Sequence, residues 1–161
     1  MEEDDFIDKD INIRDYLHEI ISSFKEISKK EFVFNFDQDS NPKKISKSIE
    51  IVYGLRNFIG NANKFAKNSI FINLKSDSEF TELTIEDDGN GYPRDIISKI
   101  GEPYLKSNYS KDKSKEGLGL GLFIGKTLLE KNFASVNCRN SKTRNGAEVV
   151  IRWKNKELFN I

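Results

Sequence analysis

Gly117-Leu118-Gly119-Leu120-Gly121-Leu122-Phe123-Ile124-Gly125-Lys126-Thr127 is the stretch on which the fold turns. Alternating glycines leave backbone amides unobstructed, and a helix running on to Lys131 adds positive potential at its start, so the run reads as a cradle for phosphate. It belongs to neither of the two best-known phosphate loops. Gly125-Lys126-Thr127 resembles the tail of a P-loop, but that motif needs a glycine where Leu120 stands. A dinucleotide fingerprint counted from Gly117 or from Gly119 puts its third glycine on Leu122 or Ile124. A different nucleotide fold is implied.

Two further stretches lie upstream. Asp87-Asp88-Gly89-Asn90-Gly91 places an acid and two glycines at a strand end. Such a carboxylate can accept from the exocyclic amine of adenine, while glycines let a flat ligand approach the backbone; guanine would bring a second acceptor instead. The same residues also suit an ordinary turn. Asn57-Phe58-Ile59-Gly60-Asn61-Ala62-Asn63-Lys64-Phe65 is helical in pattern. With Asn57 at zero on a helical wheel, Asn61 lies about 40° and Lys64 about 20° away, opposite Leu55, Phe58, Ile59, Ala62 and Ala66. Asn is a poor helix former, its neutral oxygen suits Mg²⁺, and a lysine suits phosphate. The competing reading is a solvated face in an Asn-rich chain.

The remaining elements follow from periodicity. Apolar residues from Ile13 to Ile27 predict an amphipathic helix, and Phe32, Phe34 and Phe36 a short strand. Asn41-Pro42 reads as the cap and first turn of a long second helix running through Ile45 to about Lys67. Residues 69–75 and 80–86 read as a hairpin, followed after Pro93 by a short helical stretch to Ile100. Residues 134–139 and 147–153 read as a closing strand pair around Arg144-Asn145-Gly146, a strong turn signal. Between them residues 101–116, with four lysines and no periodicity, are expected to be mobile.

Composition narrows the function. At 161 residues, with 26 basic and 26 acidic side chains, the chain suits one domain and carries no net positive field, so nucleic acid is not an expected partner. Six acids within residues 1–10 predict a disordered N-terminus ahead of a domain spanning 11–161 and are unlike an export signal. Apolar runs fall far short of the roughly 20 residues a spanning helix needs, so no membrane contact is expected of this segment. One cysteine, Cys138, and one histidine, His18, exclude an internal disulfide and a thiolate zinc site and favour a cytoplasmic setting.

The order of these motifs resembles the catalytic and ATP-binding domain of bacterial sensor histidine kinases, within the GHKL superfamily that also holds gyrase, MutL and heat-shock chaperones of the ninety-kilodalton class. Asn57 to Phe65 looks like the family's N box, Asp87 to Gly91 its G1 box, Glu102-Pro103-Tyr104 its F box and Gly117 to Gly121 its G2 box. Gly146-Ala147 sits where a Gly-Thr-type turn is common. The runs 101–104 and 117–130 are most similar to redox-responsive kinases of the RegB/PrrB type. Gly101 departs from the usual first Phe of the F box, and Asn90 from a frequent Pro in the G1 box.

The resemblance implies a two-layer α/β sandwich: a mixed, mainly antiparallel sheet with helices on one face and a mobile ATP lid. It implies Mg²⁺ and the phosphates at Asn61 and Asn57, a phosphate on Lys64, adenine against Phe65, and the adenine amine on Asp87. Gly89, Gly91, Tyr104, Lys106 and the run Gly117, Leu118, Gly119, Leu120, Gly121 and Leu122 would complete the ATP site, with Asn57, Asn61 and Lys64 serving the transfer itself. Hydrolysing members of the superfamily carry Glu where Asn57 stands; Asn cannot serve as a base near neutral pH, which favours transfer over hydrolysis.

The implied partners are a dimerisation and phosphoacceptor domain and a downstream response regulator, the isolated chain being a monomer. Anchoring of a parent kinase in the inner membrane, where it occurs, falls to other segments. His18-Glu19 is superficially like the acceptor motif, yet it lies only 39 positions before Asn57, leaving no room for a two-helix hairpin; a surface histidine is expected, and Cys138 is expected to act as a small buried hydrophobe. The alternative function is a nucleotide-dependent interaction module that binds ATP and a partner without phosphoryl transfer. An anti-sigma serine kinase is disfavoured by the F box.

Overall fold

Helix capping and strand alternation divide the chain. The computed structural model describes residues 10–37, 44–46, 48–97, 99 and 113–158. Strand β1 (Asp10–Asn12) leads into α1 (Ile13–Lys25), which Asn12 caps by accepting from the backbone N–H of Arg14 at 2.8 Å. Then come β2 (Glu31–Phe36), β3 (Lys44–Ser46), α2 (Ile49–Phe65), β4 (Ser69–Ser76) and β5 (Phe80–Asp87). A one-turn helix α3 (Arg94–Ile97), a long helix α4 (Lys113–Lys131), β6 (Ala134–Asn140), β7 (Ala147–Lys154) and a final turn α5 (Asn155–Leu158) complete it.

The five-stranded sheet has the order β2-β4-β5-β7-β6, with β2 parallel to β4 and every other pairing antiparallel. This is the expected α/β sandwich with a mixed, mainly antiparallel sheet and helices on one face. Inward positions carry Ile70, Ile72, Leu74, Leu83, Ile85, Val149, Ile151 and Trp153, all buried against Leu17, Ile20, Ile51, Leu55, Phe58 and Ile59 of the helices. On the uncovered face, guanidinium groups lie over the aromatic rings: Arg144 sits 3.5 Å from the Phe71 centroid and Arg152 3.7 Å from that of Phe80.

The second helix corrects its predicted start. Asn41 and Pro42 lie outside the described residues, and Ile45 belongs to β3, paired with Ile11 of β1. Ser48 is the cap, accepting from Glu50 N at 3.1 Å and Ile51 N at 3.4 Å. Ile45 and Ile49 are four apart, so a three-residue strand fell in phase with the helical pattern that follows it. Tyr16 ties the two helices together: its hydroxyl donates to Ser48 O at 3.0 Å and accepts from Ser48 N at 3.2 Å.

A larger correction concerns the glycine run. A loop leading into a helix was expected from Gly117, but α4 begins at Lys113 and residues 117–122 lie within it. Glycine costs about 1 kcal/mol relative to alanine in a helix, yet here it permits close packing of α4 on α2. A Cβ on Gly125 would stand 2.8 Å from the Phe58 ring, and one on Gly54 would stand 2.8 Å from Leu129. Of the segment expected to be mobile, residues 101–112 lie outside the described residues and 113–116 form the first turn of α4.

Candidate nucleotide site

Asp87 ends β5, a central strand, and is 3% exposed. Its Oδ1 accepts from Gly89 N at 2.8 Å and Ala147 N at 3.3 Å, which leaves Oδ2 without a hydrogen bond among the described residues. Burial pushes the carboxyl above its ordinary range; the Gly89 and Ala147 amides oppose this, the Asp88 charge adds to it, and the Lys30 ammonium opposes it. The surrounding glycines are dictated by close approach. A Cβ on Gly146 would fall 1.9 Å from the Asp87 carbonyl oxygen, and one on Gly89 would fall 2.2 Å from that of Phe65. Gly91 holds φ at +80°.

Two residues to which motif reading gave no role hold this turn. Asp88 Oδ1 accepts from Lys67 N (2.8 Å), Asn68 N (3.0 Å) and Ser69 N (3.3 Å), tying the end of α2 to the start of β5's turn. Desolvation raises this carboxyl, but the backbone amides of Asn68, Ser69, Lys67 and Asp88 itself outweigh it and hold it below the ordinary Asp range. A group with a depressed folded-state pKa stabilises above its unfolded pKa and loses that contribution as pH falls through the folded value. Asp88→Ala is therefore expected to cost about 1 kcal/mol at neutral pH, as for other capping aspartates, and less in acid as Asp88 is protonated and its charge-assisted bonds weaken. Thermal melts of both proteins at pH 7 and near pH 2 check this.

Asn140 is the second. Its Oδ1 accepts from Tyr92 N at 2.6 Å and its Nδ2 donates to Tyr92 O at 3.1 Å, a side-chain imitation of a strand pair. Neither role was visible to motif spacing, because their partners lie 19 to 48 positions away.

Asn57, Asn61 and Lys64 lie on α2 as expected, but α4 covers part of their face. The position of a Cβ on Gly121 lies 3.3 Å from Asn61 Nδ2 and 3.5 Å from both Asn57 Oδ1 and Asn61 Oδ1. Asn57 Nδ2 donates to Tyr53 O at 2.7 Å, whereas Asn61 Nδ2 is buried with no hydrogen-bond partner among the described residues. An unpaired buried amide is costly, so Asn61 fits a polar ligand better than it fits the packing around it. Lys64 Nζ lies 5.3 Å from the Phe65 ring centroid, the last pair on α2 before the chain turns toward Asp87.

The phosphate cradle is not open in this conformation. Amides of Gly117, Leu118, Gly119, Leu120, Gly121 and Leu122 lie within α4, where intrahelical bonding occupies them. Gly119, Gly121 and Leu122 are buried, and Leu120 is exposed. Tyr104 and Lys106 lie outside the described residues. Thus the structure brings Asn57, Asn61 and Gly121 together, and Asp87, Gly89 and Phe65 together.

His18 is exposed on α1, edge-on to Phe34 with centroids 4.8 Å apart. Cys138 packs against the core, and burial pushes its thiol up to about 12, leaving essentially no reactive thiolate near neutral pH. No helix among the described residues is long and apolar enough to cross a membrane.

Comparison with known proteins gives a consistent answer. The sensor histidine kinase RegB of Cereibacter sphaeroides is 39% identical over 97 residues, covering 57% of this chain and 21% of RegB. The sensor protein SrrB of Staphylococcus aureus is 29% identical over 105 residues, 64% of this chain and 18% of SrrB. The chain thus spans about a fifth of the curated relatives it matches. Among solved structures, the nucleotide-free catalytic domain of histidine kinase ThkA aligns with a TM-score of 0.74 at 20% identity, covering 91% of this chain and 96% of that one. Full-length ShkA in complex with AMPPNP aligns with a TM-score of 0.71 at 20% identity, covering 89% of this chain and 30% of ShkA. Both likenesses speak to the fold. A family model matches residues 46–157, from β3 to α5, and on that match the chain belongs to the histidine kinase-, DNA gyrase B- and HSP90-like ATPases.

Proposed function

We propose that this chain binds Mg²⁺-ATP and donates the γ-phosphoryl group to a histidine on a dimerisation and phosphoacceptor domain, in two-component signalling of the RegB-like kind. The observation that carries the reading is Asp87: a buried carboxylate with one oxygen satisfied by backbone amides and the other left for a donor, walled by two glycines. Adenine supplies an amine donor there, and Phe65, whose backbone carbonyl packs against Gly89, supplies an apolar surface for a base. Lys64 would meet a phosphate. Bound Mg²⁺ would neutralise phosphate charge, and Asn57 and Asn61 offer neutral oxygens for it. Among the described residues no three His, Cys, Asp or Glu side chains converge on a metal, so such an ion would draw on these amides and on the nucleotide itself.

Access to Asn57 and Asn61 requires α4 to yield at Gly121, and the same movement frees the amides of the glycine run for phosphate. The lid residues Tyr104 and Lys106 belong to this proposal as closing groups. Asn57 withholds a water-activating carboxylate, which favours transfer to a positioned acceptor over hydrolysis. The acceptor is taken to be a histidine outside this chain, and a response regulator to lie downstream.

The test is labelling with γ-labelled ATP. The chain alone is expected to bind ATP without forming stable phosphohistidine, and His18→Ala to leave binding unchanged. A cognate acceptor domain, linked or added, is expected to become labelled on its own histidine, less efficiently when unlinked. Acid-labile phosphate on His18 would overturn the assignment of the acceptor. ATP binding with no labelling of any cognate acceptor would favour the interaction-module alternative.

A further inference from the structure

The last turn of a helix leaves carbonyls that its own amides cannot reach. In α2 these can be followed one by one. Ala62 O accepts from Ala66 N at 2.9 Å. Asn63 O and Lys64 O both accept from the ammonium of Lys30, the second at 3.2 Å. Phe65 O is the atom against which Gly89 packs. Lys30 belongs neither to α2 nor to any motif; it stands in the turn between α1 and β2, 33 and 34 positions earlier. Ser28 in the same turn donates through Oγ to Asn63 Oδ1 at 2.6 Å and accepts from Lys30 N at 3.0 Å.

The chain reversal at residues 65–69 is therefore gripped from two sides. A cation holds the carbonyls that enter it, and the Asp88 carboxylate holds the amides that leave it. This divides labour between two lysines. Lys64 sits in the last turn of α2, where a cation is drawn to its own helix's carbonyls. With Lys30 already on them, Lys64 instead lies over the Phe65 ring.

We propose that Lys30 is a positioning residue of the nucleotide site: it clamps the last turn of α2 so that Lys64 and Phe65 keep their ligand-facing orientation, and it brings a positive charge near Asp87. The proposal rests on the reading that Lys64, Phe65 and Asp87 meet nucleotide. A helix cap that served stability alone would act on melting temperature and leave the folded site unchanged.

Two measurements on the full chain separate these. The first is ATP affinity by calorimetry well below the melting temperature. Lys30→Met, which keeps the stem and removes the charge, is expected to weaken binding about tenfold, and Lys30→Arg to restore it to within about threefold of the parent. Ser28→Ala, a milder change should Lys30→Met fail to fold, is expected to cost about threefold. The second is the carbon-13 titration of the Asp87 carboxyl without nucleotide. Among the described residues, the ionisable groups whose charge acts on it are Asp88 on its own turn, Tyr92 beyond Gly91, and Lys30 from the α1–β2 turn. Only the last is altered, so the midpoint is expected to move up in Lys30→Met and to return in Lys30→Arg.

Failure of the wild-type chain to bind ATP would sink the nucleotide reading, and the carboxyl titration would still report on the clamp. A wild type that binds ATP, beside a folded Lys30→Met with equal affinity and an unmoved Asp87 midpoint, would overturn the positioning role.

Discussion

Gly146→Ala is expected to lower the melting temperature by about 6 to 12 °C and to abolish measurable nucleotide binding. The added methyl would stand 1.9 Å from the Asp87 carbonyl oxygen and 2.5 Å from its Oδ1. Neither neighbour can swing aside. The carbonyl is backbone of β5, and the carboxylate oxygen is fixed by the Gly89 and Ala147 amides. Relief must come from opening the mouth between β5 and β7, which loosens the Ser141 N to Gly146 O bond of 2.7 Å beside it. Overpacking of this kind costs about 3 kcal/mol, and each kcal/mol is worth about 2 to 4 °C in a domain of this size. Calorimetric melting and ATP titration of the same sample check both parts; a melt within about 1 °C of the parent would mean that the β6–β7 turn yields freely.

Asp87→Asn is expected to weaken ATP binding by about ten- to a hundredfold while leaving the melting temperature nearly unchanged. Asparagine keeps an oxygen where Oδ1 accepts from Gly89 and Ala147, so the turn survives. What changes is the other atom. An NH₂ group replaces Oδ2 and faces the adenine amine donor with a second donor, leaving both unpaired. Guanine presents a carbonyl there, so GTP is expected to bind the parent poorly and the variant no worse. Titrations of both nucleotides against both proteins give the four affinities needed. Equal affinity of the parent for ATP and GTP would remove Asp87 from base recognition.

The two hairpins and the Asn-bearing helix were legible because each depends on neighbours close in sequence: alternation in Phe80 to Asp87, Asn145-Gly146 at a turn, apolar spacing from Ile51 to Ala62. Strands β1 and β3, three residues each, are too short to show a period, so Ile45 merged with the helix that Ser48 begins. The glycine run was read through its lack of side chains. That freedom serves an open loop and a close helix contact equally well, and only the proximity of Asn61 and Phe58 to Gly121 and Gly125 decides for the contact. At the candidate site, motif order singled out the polar side chains that stand on α2 and at the end of β5. Their supports could not be singled out in this way, because Lys30, Asp88 and Asn140 act on backbone atoms brought near only by folding.

The packing of α4 on α2 is uneven along its length. At Gly125 and Leu129 the contact is a pair of interlocking notches, the Phe58 ring seated on one glycine and the Leu129 side chain on another, Gly54. One turn earlier, Gly121 rests on amide groups of Asn57 and Asn61, one of whose nitrogens finds no partner. The contact is interlocked at Gly125 and rests on polar side chains at Gly121. Fraying that starts at Lys113 can run back through Gly117, Gly119 and Gly121 at the expense of poor helix formers and one unsatisfied amide, and then it meets the Phe58 notch. If the front of α4 opens as proposed, Gly125 would be the backstop: the Phe58 ring seated on it would limit how much of α4 is converted to loop and leave the remainder as a wall of the core.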